Sequence, residues 1–106
     1  MDLDYVYQKL WVAVDALASG TGTIQERIYN ANLSALSRLD GPEDFPPEMH
    51  ATYKSIEAAL TDGTKAGSNK MEAIAMALSD DDAKQVAGKI FNLFCQVSDA
   101  LRDNPR

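Results

Sequence analysis

One histidine, one cysteine and sixteen acids are the residues of this 106-residue chain best equipped for chemistry, and their spacing decides whether they act together. A metal site in a helix bundle usually sets a glutamate three residues before a histidine, so that both reach one ion from a single helical face. The only histidine is His50, and the residue three before it is Pro47. That spacing fails, and His50, flanked by Glu48 and Lys54, is expected to be solvated. Asp80, Asp81 and Asp82 supply three consecutive carboxylates, but a calcium loop spreads its ligands over about twelve residues around a central glycine. Here the acids directly follow Ser79, where negative charge meets the positive end of a helix dipole. They are expected to form a cap and an acidic surface.

Gly20-Thr21-Gly22-Thr23 opens a helix and superficially suggests a phosphate cradle, because backbone N–H groups at a helix start attract anions. It lacks the preceding strand and the lysine of such motifs, and reads as a turn. Among sixteen acids no spacing singles out a catalytic pair of carboxylates. Cys95 lies deep inside a helical pattern, with Phe91, Phe94 and Ser98 around it. It is expected to be a small buried hydrophobe, since a reactive thiol needs a nearby cation or helix N-terminus. No catalytic, metal-binding or cofactor-binding residue is therefore assigned, and the chain is expected to be non-enzymatic and without a cofactor.

Recognition is the remaining kind of chemistry. Tyr5, Tyr7 and Trp11 crowd a two-turn segment, and aromatic residues are enriched at protein–protein contacts. Three rings so spaced cannot share one direction, so at least one should lie off the buried stripe. Asn32 sits four residues from both Ile28 and Leu36, beside an apolar surface, where an amide either satisfies itself in the core or specifies a partner. Phe45 stands just ahead of Pro46-Pro47 in the most irregular stretch. It resembles the outer half of a hydrophobic staple with Met49. Tyr5, Tyr7, Trp11, Asn32 and Phe45 are the candidate interface residues.

The elements that position these side chains are helices. Apolar residues at 3, 6, 7, 10, 13, 14 and 17 repeat with helical period. Tyr5, Trp11, Val12, Ala16 and Ala18 extend the apolar surface of that first helix, leaving Asp4, Gln8, Asp15 and Ser19 as a narrow wet strip. Thr23-Ile24-Gln25-Glu26 is a capping box for a second helix over 24–39, packed antiparallel on the first, with Arg27, Asn30, Ser34 and Arg38 toward water. Asp40-Gly41-Pro42 stops it. A third helix starts at Pro46-Pro47, since proline is tolerated in a first turn, and runs to about Thr61. Thr64 to Asn69 reads as a mobile polar linker. A short helix over 70–78 follows. Ser79 then caps a last helix over 80–102, with Ala83, Val86, Ala87, Ile90, Phe94, Val97 and Leu101 inward and Gln85, Lys89, Asn92, Gln96, Asp99 and Asp103 in water. Asn104-Pro105-Arg106 ends the chain. The expected fold is an all-α, up-and-down helix bundle of four long helices and one short helix, forming a single domain over residues 1–106.

Composition agrees. Hydrophobic residues make up 45% and charged residues 25%, values that exclude disordered, collagen-like and disulfide-scaffold classes. A net charge of −6 without clustered Lys and Arg disfavours direct nucleic-acid binding. No apolar run spans a bilayer, Asp2 and Asp4 stand where a secretory signal carries basic residues, and a single cysteine suits a reducing compartment. Cytoplasmic location is expected, with no membrane partner.

Leu10-Trp11-Val12-Ala13-Val14, Ile24-Gln25-Glu26-Arg27, Asp44-Phe45-Pro46-Pro47-Glu48 and Leu78-Ser79-Asp80-Asp81-Asp82-Ala83 together resemble a set of small, helical bacterial hypothetical proteins. The resemblance covers most of the chain. Its motifs are caps, turns and core positions, and it carries over no activity and no functional residue. The expectation is a protein–protein interaction or regulatory module, self-associating as a homodimer through surplus apolar surface on the first or last helix. A second reading is an acidic inhibitor of phage or mobile-element type that fills a basic nucleic-acid-binding groove with Asp80, Asp81 and Asp82. A third is an enzyme or ligand-binding bundle with a pocket between helices.

Overall fold

Asp2 starts the fold by accepting the Tyr5 N–H on Oδ1 at 3.2 Å, which caps α1, Leu3–Ser19. A computed structural model describes residues 2–39, 44–60 and 68–103, with the backbone alone at 68–70 and 103. Gly20 ends α1 by donating its N–H to the Ala16 carbonyl at 3.1 Å, an approach so close that an added Cβ would collide with that carbonyl. Gly22 then adopts φ +91°, which side chains disfavour, and delivers Thr23 into its box. Thr23 Oγ1 accepts the Glu26 N–H at 3.1 Å while Glu26 Oε1 receives the Thr23 N–H at 3.5 Å.

The second helix is shorter than its periodicity suggests. α2 spans Ile24–Ser34, and Ala35 leaves helical geometry at φ −136°, ψ −61°. Ser34 Oγ donates to the Asn30 carbonyl at 2.6 Å and Ser37 Oγ to that of Leu33 at 3.2 Å, back-bonding that bends helices. A 3₁₀ turn at Leu36–Arg38 follows. With three residues per turn Leu36 and Leu39 share one face, and both are buried. Leu33, before the turn, is exposed.

The prolines act as expected, though through a 3₁₀ turn at Pro47–Met49 that leads into α3, His50–Leu60. α4 covers Ser68–Met76 and α5 Asp80–Asp103, the latter capped where Ser79 Oγ accepts the Asp82 N–H at 3.0 Å. Asp40-Gly41-Pro42, residues 61–63, residues 64–67 of the expected linker and Asn104-Pro105-Arg106 lie outside the described residues, whereas Ser68 and Asn69, expected in the linker, belong to α4.

Polar contacts set the helix directions. Arg27 Nη1 donates to the Leu17 carbonyl at 2.9 Å and Tyr5 Oη to that of Arg38 at 3.4 Å, so α1 and the α2 segment are antiparallel. Arg27 is accordingly half-buried and not on a water-facing strip. Gln25 Nε2 donates to both the Leu78 carbonyl and Asp80 Oδ1 at 2.9 Å. The start of α5 thus lies beside the start of α2, and α5 runs antiparallel to α1. Lys89 Nζ donates to Ser55 Oγ at 2.7 Å, and the groove shared by α3 and α5 continues backward along α3 as it advances along α5. The four longer helices therefore alternate in direction, with α4 inserted before the last. The protein is an all-α bundle.

Helix α5 touches α1, α2 and α3. Ala83, Val86, Ile90, Leu93 and Val97 are buried along it. Leu93 falls outside the stripe expected from periodicity, because a helix with three neighbours buries a wider arc than a one-sided pattern describes. Against it lie Val6, Leu10 and Ala13 of α1, Ile28 and Ala31 of α2, and Ile56 and Leu60 of α3. Among the described residues no helix is long and apolar enough to cross a membrane.

Candidate interaction surface

Helix α1 buries Val6, Leu10 and Ala13 on one side, so residues turned away from that line lie on its flanks or its outer face. Tyr7 takes the α5 flank and stacks on Phe94, with ring centroids 5.2 Å apart and planes 29° from parallel. One turn further along α1 is Trp11; one turn back along antiparallel α5 is Phe91. Trp11 is 54% and Phe91 52% exposed, the two largest exposures among the described large hydrophobics. Helical geometry puts both on the solvent edge of the same α1–α5 seam, directly above the Tyr7–Phe94 pair.

The α1 side of this seam is apolar. Tyr7, Gln8, Trp11 and Val12 line a shallow, almost wholly apolar depression of about 410 Å³. Asp15 on α1 and Lys84 on α5 are exposed. Gly88 lies on the outer side of α5 one turn before Phe91 and Asn92, and a Cβ there would meet nothing within 4 Å.

The other expected interface residues go elsewhere. Tyr5 is 40% exposed on the opposite flank of α1, with Lys9 Nζ 5.6 Å from its ring centroid. Asn32 is half-buried on α2. Phe45 is corrected from interface to core: it is 2% exposed and packs on Tyr53 with centroids 4.9 Å apart, and Met49 is buried as well. The structure thus keeps Trp11 and Tyr7 on one seam, adds Phe91, and separates them from Tyr5, Asn32 and Phe45. The sequence set Ile90 inward but did not single out Phe91, because an aromatic residue off the buried stripe becomes informative only once its exposure and the neighbouring helix are known.

Two further corrections concern titratable groups. His50 is half-buried, its Nε2 2.8 Å from the Phe45 carbonyl, and is not a solvated residue. It fastens the chain entering α3. Cys95 is half-buried and lines an open groove of about 560 Å³ between α3 and α5. Lys89 and Gln96, expected on a solvent strip, are half-buried in that groove. Gln96 Oε1 is buried without a hydrogen-bond partner. Among the described residues no cluster of three or more His, Cys, Asp or Glu side chains could hold a metal ion.

Asp80, Asp81 and Asp82 are all exposed in the first turn of α5. Gln25 engages Asp80, and Lys84 follows within about one turn, so opposite charge divides this surface. Comparison of the chain with protein-family models, with curated proteins and with solved structures returns no match.

Proposed function

We propose that the protein is a non-enzymatic protein–protein interaction module that docks through the α1–α5 seam. The observation that carries this reading is the exposure of Trp11 and Phe91, each over half, on adjoining helices. Single exposed apolar residues are ordinary on protein surfaces, but two outward aromatics on adjoining helices, with Trp11 lining an apolar depression of α1, match the centre of a docking patch, where Trp is enriched. Burying either ring fully would add roughly 1–2 kcal/mol from apolar area removed from water. The seam is also rigid, because Tyr7 and Phe94 lock the two helices directly beneath it, and an ordered patch loses little entropy on docking.

Photo-crosslinking in the native host tests this. A photoreactive residue at position 11 should give a discrete protein adduct, whereas one at the exposed Ala58 on α3 should give none. An identical adduct pattern from both positions, or no adduct from position 11, would remove the seam as a docking surface.

A further inference from the structure

We infer that the occupant of the α1–α5 seam is a second copy of the same chain, seated by a two-fold axis running along the seam so that α1 of each copy lies over α5 of the other. This rests on the seam being the docking face. The structure adds two observations, one of charge and one of shape.

Charge selects the axis. With Tyr7 level with Phe94 on antiparallel helices, a rise of about 1.5 Å per residue sets Trp11 level with Phe91 and Asp15 within about 3 Å of the level of Lys84. An isologous contact pairs each residue of one copy with its counterpart's partner on the other. A two-fold along the helices brings α1 over the neighbouring copy's α5 at equal height. Trp11 then meets Phe91 twice, and the exposed Asp15 carboxylate meets the exposed Lys84 ammonium twice. A two-fold across the helices would instead set α1 on α1 and α5 on α5, bringing Asp15 over Tyr7 and Lys84 over the level of Val97, with neither charge answered. The first arrangement joins two chains of net charge −6 with opposite charges at the rim of an apolar centre.

Shape supplies the second observation. Glycine inside a helix is unfavourable relative to alanine, and Gly88 lies well inside the 24-residue α5. Its own chain offers no steric reason for it, since a Cβ would meet nothing within 4 Å. In the axial dimer the Trp11 ring of the second copy arrives at the level of Phe91 and Gly88. The missing side chain leaves a flat floor on which the indole lies beside the phenyl ring.

Sedimentation equilibrium from micromolar to millimolar concentration tests the inference, with the emission of Trp11, the only tryptophan, as a second readout. The mass should rise from one chain to two, and emission should shift to the red on dilution as the indole meets water. Trp11→Ala should weaken association by roughly thirtyfold, as loss of a central aromatic anchor does. Gly88→Gln should abolish association while the thermal midpoint of the monomer stays level or rises, which separates blocked docking from misfolding. Asp15→Lys and Lys84→Asp should each weaken the homodimer, and an equimolar mixture of the two variants should pair preferentially with each other. A mass of one chain throughout the range overturns the second-copy inference, while a discrete position-11 adduct to a different protein would leave the docking reading standing. A dimer indifferent to Gly88→Gln and to both charge reversals overturns the axial arrangement.

Discussion

Tyr7 of α1 lies on Phe94 of α5 with ring centroids 5.2 Å apart, a contact between the first helix and the last. Phe94→Ala is expected to destabilise the fold by about 2–3 kcal/mol, less than a fully buried phenylalanine because Phe94 is half-buried. A double-mutant cycle with Tyr7→Ala in urea unfolding should give a coupling of about 1 kcal/mol. Strictly additive losses would mean that the rings are neighbours without mutual stabilisation.

Phe45 anchors the entry to α3 against Tyr53, and its carbonyl meets His50 Nε2 at 2.8 Å. Phe45→Ala should cost about 3–5 kcal/mol, since it empties a fully enclosed site. His50→Ala should cost about 1 kcal/mol, the net worth of one hydrogen bond. Chemical denaturation of both variants orders the two effects, and a larger loss for His50 than for Phe45 would contradict the core assignment.

Gln25 holds the α4–α5 corner by donating to the Leu78 carbonyl and to Asp80 Oδ1. Gln25→Ala is expected to lower stability by about 1–2 kcal/mol, with faster amide exchange concentrated in the first turn of α5. Faster exchange spread evenly over all helices would show that Gln25 is not a local clamp.

Gly22 and Gly88 should respond to alanine with opposite signs. At Gly22, φ +91° strains any side chain, and Gly22→Ala should destabilise by about 1–2 kcal/mol. At Gly88 the helix is regular and the space open, so Gly88→Ala should stabilise the monomer by about 1 kcal/mol. Thermal melts of dilute protein compare the pair directly. A destabilising Gly88→Ala would show that the position is constrained within its own chain.

Gln96 keeps its Oε1 buried without a partner in the α3–α5 groove. Replacing it with the nearly isosteric methionine removes an unsatisfied acceptor and retains the packing. Gln96→Met should raise stability by about 1 kcal/mol in urea titrations. An unchanged or lower midpoint would indicate that the amide is satisfied in solution.

Much of the fold was legible in the sequence because its signals are local. Caps need only residues within one turn of each other, so the Thr23–Glu26 box and the Ser79 cap could be read from spacing alone. The apolar period likewise identified the buried residues Val6, Leu10 and Ala13 of α1. Asp2 shows the same logic in a cap that the reading passed over, since its carboxylate meets the N–H of Tyr5 only three residues away. The end of α2 was less legible: serine back-bonding at Ser34 and Ser37 competes with helix continuation, and apolar periodicity does not record that competition.

The candidate surface shows the division between the two sources. The surplus apolar side chains of the first helix were evident in the sequence, as was the rule that Tyr5, Tyr7 and Trp11 cannot all face inward. Which ring faces where depends on the neighbours, and those come from residues far along the chain: Phe94 covers Tyr7, the Arg38 carbonyl accepts from Tyr5, and Trp11 is left half-open beside Phe91. Helical period and capping are set by bonds spanning a few residues, so sequence alone determined the all-α class and most helix starts. Burial is set by contact between distant segments, so only tertiary packing decided that Phe45 is core, that His50 is tied to a carbonyl, and that Trp11 and Phe91 both stay exposed on adjoining helices.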